Sequence, residues 1–160
     1  MRVLIVSDTH GSLDNFERVL ATVGPIDYLI HCGDVIRDED WVRALSGCPC
    51  TVVRGNCDFD HTLPDEEVVT LEGHRVLVCH GHAYGVKGGT ARLVRAAKEK
   101  NCDVAAYGHS HVPQIKKEDG VYVVNPGSLT HPRQAGRQPS YLMMTIDRRG
   151  QLLFSDNYLK

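Results

Sequence analysis

The sequence predicts an α/β fold: two mixed sheets packed face to face, with helices outside them. Three observations carry this. The opening third alternates short apolar runs with amphipathic segments, strand-helix-strand-helix-strand, as a parallel sheet with right-handed crossovers requires. The later chain pairs short runs around Glu72-Gly73, Asp119-Gly120 and Arg148-Arg149-Gly150, which are hairpin signals. Several apolar runs also end in Asp, Asn or His, and the carboxyl edge of an open α/β sheet is where ligands bind.

Residues 3–6 read as a buried parallel strand that runs into Ser7-Asp8-Thr9-His10-Gly11. Gly11 permits a sharp turn, and Ser12 is placed to cap a helix over 13–23. Leu13, Phe16, Val19, Leu20 and Val23 give that helix its apolar face, Asp14 and Glu17 suit its early turns, and Gly24-Pro25 ends it. A second strand, 28–32, leads to Gly33-Asp34. A short helix about 38–45 should turn Trp41, Ala44 and Leu45 inward before Gly47-Cys48-Pro49 breaks it. The third strand, 51–54, ends at Gly55-Asn56-Cys57-Asp58. After a polar loop, 68–71 and 75–79 form a hairpin whose second strand ends in His80-Gly81-His82. Gly88-Gly89-Thr90 opens a helix with Leu93, Val94 and Ala97 inward, and strand 103–107 ends in Gly108-His109-Ser110-His111. Strands 114–117 and 121–124, the turn Asn125-Pro126-Gly127-Ser128, an exposed loop over 131–140 and the hairpin 141–146 with 151–155 complete the chain. No repeat or interdomain linker interrupts it, so 1–160 is read as one domain.

Composition sets bounds. The chain has 160 residues, 42% hydrophobic and 24% charged, which is ordinary for a soluble protein able to bury its own core. A formal charge of −2 gives no footprint for long nucleic acid. No apolar run approaches the roughly 20 residues of a membrane helix. Asp8 and His10 interrupt the first apolar run, so it reads as a strand rather than a leader, and the expected compartment is the cytoplasm. Of six cysteines, Cys32 and Cys79 lie in apolar runs and behave as small hydrophobes. Cys48-Pro49-Cys50 lacks a second pair to complete a metal site and reads as a turn into a strand.

The five polar strand ends carry the functional signal. Taken singly, Asp34 or Asn56 is as well explained as a turn residue, and His80 as a strand-end histidine. His109 and His111 stand out more, as two imidazoles beside a glycine that leaves room for them. Repetition decides: Asp, Asn and His at successive strand ends should converge on one sheet edge.

The series Asp8-x-His10, Gly33-Asp34, Gly55-Asn56-x-Asp58, His80-Gly81-His82 and Gly108-His109-x-His111 resembles the calcineurin-like metallophosphoesterase superfamily, in particular its small YfcE-type phosphodiesterases. Asn125-Pro126-Gly127-Ser128 is similar to a segment common in that subgroup. The resemblance covers nearly the whole chain, in the family's order. It implies a four-layer α/β/β/α sandwich and two divalent metal ions. Asp8, His10 and His111 would hold one ion, Asn56, His80 and His109 the other, and Asp34 would bridge them, with Asp34, Asn56 and His80 also assigned to catalysis. Carboxylate and imidazole together favour Mn, Fe, Co, Ni or Zn over Ca or Mg, with Mn placed first. Two ions ~3.5–4 Å apart can clamp a phosphoryl group and acidify water for in-line attack on phosphorus.

The resemblance leaves other positions open. Cys57 stands where many superfamily members carry a histidine for the leaving group, which leaves strong general acid catalysis unassigned. Asp58 is either a partner behind the ligands or a turn residue, and His82 either such a partner or a loop histidine. His61 and His131 read as exposed loop residues, Arg133 and Arg137 lie in a loop that is either solvated or reaches substrate, and Arg54 is either an inward or salt-bridged strand-end arginine or one that approaches a phosphate. The leading expectation is a phosphodiesterase acting on a small or accessible phosphoester, with a homodimer or homotetramer compatible with the family. The competing reading is a protein-interaction scaffold, since related eukaryotic trafficking proteins keep the sandwich and lose part of the site. Every expected ligand position is filled here, which favours the enzyme. A nuclease is disfavoured by the acidic balance.

Overall fold

In a computed structural model that describes residues 1–160, strand β1 (Arg2–Val6) leads to helix α1 (Asp14–Val23), β2 (Tyr28–His31), α2 (Glu39–Ser46) and β3 (Cys50–Val52). There follow β4 (Glu66–Leu71), β5 (His74–Cys79), two short 3-10 turns (His82–Tyr84 and Val86–Gly88), α3 (Ala91–Glu99) and β6 (Val104–Ala106). The chain closes with β7 (Pro113–Glu118), β8 (Val121–Pro126), β9 (Ser140–Ile146) and β10 (Leu152–Tyr158). One sheet has the order β10-β9-β1-β2-β3, the other β4-β5-β6-β8-β7. In the first, β1, β2 and β3 are parallel and β9 and β10 antiparallel; in the second, β5, β6 and β8 are parallel and flanked by antiparallel β4 and β7.

Strand alternation sorts the core into layers. Val3 and Ile5 of β1, with Ile30 of β2, face the other sheet, where they join Val76, Val78, Val104, Ala106 and Val124. Leu4 and Val6 face outward, against Phe16 and Val19 of α1 and Val42 of α2. On the far side Leu77, Ala105 and Val123 pack on Leu93, Val94 and Ala97 of α3. The result is the α/β/β/α sandwich.

Three local expectations are corrected. Helix α2 buries Val42, whereas Trp41 is 64% exposed and Leu45 37% exposed, with Ala44 also exposed. At ~3.6 residues per turn Trp41 is rotated about 100° from Val42, the one buried residue of this eight-residue helix. Ser12 does not cap α1: the cap position is Leu13, with no side-chain hydrogen bond. The Ser12 N–H instead closes a turn onto the Thr9 carbonyl at 3.0 Å. Strand β3 is Cys50–Val52 rather than 51–54, because beyond it the Arg54 N–H pairs with the Pro64 carbonyl across the loop. All six cysteines are free thiols.

Candidate metal centre

The site grows from the carboxyl ends of β1, β2 and β3 on one sheet and β5 and β6 on the other. Backbone hydrogen bonds join these ends: Asp8 N–H to Gly33 O, His10 N–H to Asp34 O and Gly108 N–H to His80 O. Two glycines make the approach. A Cβ at Gly55 would collide with the Asp34 carboxylate, and one at Gly108 with Ser7 Oγ. Asp8, His10, Asp34, His109 and His111 all have φ between 47° and 65°. That conformation is uncommon and strained for residues with a Cβ, and it clusters at functional sites.

Each aspartate is tied by one oxygen and presents the other. Asp8 Oδ2 accepts from Ser7 Oγ at 2.6 Å and from the His109 N–H at 3.1 Å. Asp34 Oδ1 accepts from the Cys57 N–H at 2.8 Å. The second oxygens face imidazoles: Asp8 Oδ1 lies 3.0 Å from His111 Nε2 and 3.6 Å from His10 Nε2. Asp34 Oδ2 lies 3.3 Å from His80 Nε2 and 3.8 Å from His10 Nε2. Three trios of donor atoms result: Asp8 with His10 and His111, Asp8 with Asp34 and His80, and His10 with Asp34 and Cys57.

The tautomers show what these trios are suited to hold. His111 Nδ1 donates to the His131 carbonyl at 2.6 Å, and His80 Nδ1 donates to the Cys32 carbonyl at 2.8 Å. In a neutral ring each Nε2 then carries a lone pair. The His111 lone pair meets Asp8 Oδ1, a buried oxygen with no hydrogen-bond partner. The His80 lone pair meets Asp34 Oδ2 and, at 3.1 Å, Asn56 Oδ1. Acceptors facing acceptors repel unless a cation lies among them, so the residues fit divalent metal. Without an ion, protons on the imidazoles take the cation's place between the same atoms, and the metal-free electrostatics describe that state. Burial pushes the Asp8 pKa up, but hydrogen bonds with His10 and His111 and the His80 charge outweigh it and hold the carboxyl well below its usual range. Burial also opposes ionisation of Asp34, yet the His80 hydrogen bond and charge and the Cys57 N–H lower it to about 2. Burial disfavours a charged His80, but Asp34 and Asp8 raise its pKa above the ordinary value.

The remaining predicted residues take distinct places. His109 joins none of the three trios; its ring centroid is 5.0 Å from that of His80, and burial followed by the His80 and Lys87 charges lowers its pKa to about 4. Asp58 is a clamp: Oδ2 accepts from the Asp34 and Gly55 N–H groups at 2.9 and 2.8 Å, and Oδ1 from Ile36 at 2.7 Å. His82 is exposed, with its ring 5.5 Å from that of His80. His131 is an exposed loop residue that nonetheless borders the cluster, its ring 4.9 Å from that of His10. Arg54 pairs with Asp65 at 2.6 Å.

Sequence reading missed several supports. Ser128 Oγ donates to the Asp8 carbonyl at 2.8 Å and accepts from His131 N–H at 2.8 Å, so the Asn-Pro-Gly-Ser segment, whose first two residues end β8 rather than forming the expected turn, holds the first motif. Asn125 Nδ2 holds the fifth, through the Gly108 carbonyl at 2.9 Å. Buried His31 accepts from the Gly33 N–H at 3.2 Å, which directs its Nε2–H onto Thr9 Oγ1 at 3.1 Å. A histidine at the end of an apolar run was the available signal.

A sandwich of two mixed sheets with this donor set at their joined strand ends is the architecture of a metallophosphoesterase. The family model of the calcineurin-like phosphoesterase superfamily domain matches residues 1–149. The probable metallophosphoesterase YsnB of Bacillus subtilis is 36% identical over 92% of this chain and 85% of its own. Phosphodiesterase YfcE of Escherichia coli is 30% identical over 98% of this chain and 94% of its own. Among solved structures, a predicted phosphoesterase of Streptococcus pneumoniae superposes with a TM-score of 0.81 at 27% identity, covering 99% of this chain and 97% of that one. Vps29 of Entamoeba histolytica complexed with zinc gives a TM-score of 0.79 at 20% identity, covering 99% of each chain, a likeness of fold. The chain belongs to the calcineurin-like phosphoesterase superfamily, and its relatives are consistent with the YfcE-type subgroup.

Proposed function

We propose that the protein is a dinuclear-metal phosphodiesterase that hydrolyses small or accessible phosphoesters. One observation carries the reading: Asp34 Oδ2 faces both His80 and His10, at 3.3 and 3.8 Å, so a single carboxylate oxygen serves two adjacent donor groups. Asp8, His10 and His111 would hold one ion, Asn56 and His80 the other with His109 beside them, and Asp34 would bridge. Bound ions of this kind polarise a phosphoryl group and acidify water.

The chain's own residues do the rest. Ser7 and the His109 N–H fix Asp8 in one rotamer, so Oδ1 stays aimed at the site. Asp58 fixes the Asp34 turn through three N–H groups. The carbonyls of Cys32 and His131 set the tautomers of His80 and His111. Asn56 adds a neutral amide oxygen, which leaves more of the ions' charge for the phosphate. Mn heads the metals this set would take, with Fe, Co, Ni and Zn also suited. A small phosphoester as partner, a cytoplasmic location and a homodimer or homotetramer belong to the same proposal. No helix is long and apolar enough to cross a membrane.

The scaffold reading is weaker, because it gives no reason for repelling acceptors to be held together. The experiment is turnover of a panel of phosphomonoesters, phosphodiesters and cyclic nucleotides by metal-stripped protein and by protein reloaded with single metals. Cleavage of diesters only after reloading supports the proposal. No turnover with any metal would leave the scaffold.

A further inference from the structure

The cleft over the donor cluster, about 160 Å³, is lined by two cations that the chemistry above leaves unused, Lys87 and Arg133. Lys87 comes from the second 3-10 turn after β5. Arg133 comes from the loop between β8 and β9, where its N–H is held by the His111 carbonyl at 3.0 Å. Both are exposed, and neither forms an ion pair. Lys116, on the same side, is by contrast paired with Glu118 at 2.6 Å. Two unpaired cations from separate loops, in one small cleft with the phosphoryl site, mark a place for a second anion next to the first. A point charge and a planar fork of donors together suit phosphate oxygens.

Arg133 also walls two larger grooves. One, about 610 Å³, runs past Thr130, His131 and Arg137. The other, about 570 Å³, runs past Lys87, Tyr107 and Val112. Room therefore exists on both sides of the anion site.

We propose that the substrate is a diester of diphosphoric acid, with its reacting phosphate over the donor cluster, its second phosphate held by Lys87 and Arg133, and one ester substituent in each groove. This rests on the hydrolase reading above. Water's oxygen bonds to one phosphorus while the bond from that phosphorus to the bridging oxygen breaks. The electron pair stays on the bridging oxygen, which leaves as a terminal oxygen of the second phosphate monoester. Both of water's protons pass to solvent as the two products ionise to dianions, and nothing is oxidised or reduced.

The test uses Mn-loaded protein and matched probes. P1,P2-diphenyl diphosphate and diphenyl phosphate differ by the second phosphate. Methylenediphosphonate and methylphosphonate are the corresponding non-hydrolysable pair for calorimetry. Wild type should cleave the diphosphate with a kcat/KM at least ~10-fold higher, and bind the diphosphonate at least ~10-fold more tightly. Both ratios should fall by about 10-fold in Lys87→Ala/Arg133→Ala and persist in Arg148→Ala/Arg149→Ala. Arg148 and Arg149 match the loss of two charges but sit in the β9–β10 turn, at the end of the sheet where β9 meets the start of β1. No preference in wild type, or one unchanged in the double variant, overturns the proposal. If diphenyl phosphate is cleaved as well as the diphosphate, the hydrolase reading stands and this one falls. If neither ester is cleaved, the hydrolase reading falls, and the calorimetric ratio alone supports or overturns the second-phosphate site.

Discussion

Cys57 ties two functions to one residue. Its N–H holds Asp34 Oδ1, while burial and then the Asp34 charge push its thiol up to about 11. A thiol that keeps its proton so tightly is a poor metal ligand at neutral pH and a weak acid for a departing alkoxide. General acid help is worth about 10²–10⁴-fold in rate. Rates should therefore fall steeply as leaving-group pKa rises, with aryl diesters far faster than alkyl diesters. Cys57→Ala should change kcat on an aryl diester by less than about 5-fold, since no general acid is lost. A plot of log kcat against leaving-group pKa checks this; a shallow wild-type slope that steepens in Cys57→Ala would show that the thiol protonates the leaving group. His31 gives a second prediction. Burial, only partly opposed by Asp8, lowers its pKa to about 4, below the reference of about 6.5. Between those values the unfolded chain binds the extra proton, so His31 makes metal-free stability rise with pH from 4 to 6.5 and lost as pH falls through that window. The ceiling is about 3 kcal/mol. Denaturant unfolding should show His31→Gln less stable than wild type at pH 7 and with a flatter pH dependence; an equal dependence would contradict the assignment.

At the scale of elements, strand ends position the chemistry and turns hold it. Asp58 satisfies three N–H groups around Asp34. Asp58→Ala leaves them without that partner, which should cost about 2–4 kcal/mol and weaken metal binding in a competition titration with a chelating dye. Trp41→Ser, on the solvent side of α2, should change stability by less than about 0.5 kcal/mol. This contrast also marks how legible the chain was. Strand-helix alternation, the hairpins and five polar strand ends were readable because side-chain period and turn chemistry are local properties. The inward face of α2 was misread because the pattern of so short a helix does not say which turn its neighbour covers. Ser7 acts on its neighbour's carboxylate, and Asp58, Asn125 and Ser128 act on backbone groups 3 to 120 residues away; composition carries no sign of such partners. The lone-pair orientation of His80 and His111 depends on which carbonyl each ring reaches, which only the packed sheets determine.

The whole molecule is two sheets whose joined edges make one centre. Because His10 and Asp8 come from β1, Asp34 from β2, and His80 and His111 from the other sheet's strand ends, metal should brace the two sheets together. Removing the ions should then lower Tm, and each ion restored should recover part of the difference. Asp34→Asn should lower the affinity of both ions, because the bridge becomes neutral, whereas His10→Ala should weaken mainly one and leave the other measurable by elemental analysis. Equal and negligible changes in metal content in both variants would contradict the layout. The most direct measurement is a Mn titration of metal-stripped protein with hydrolysis of bis(p-nitrophenyl) phosphate followed at each step. The account predicts no turnover without metal and a rate that saturates at two equivalents per chain. Full turnover in the presence of chelator, or saturation at one equivalent, would contradict a centre built around a shared Asp34.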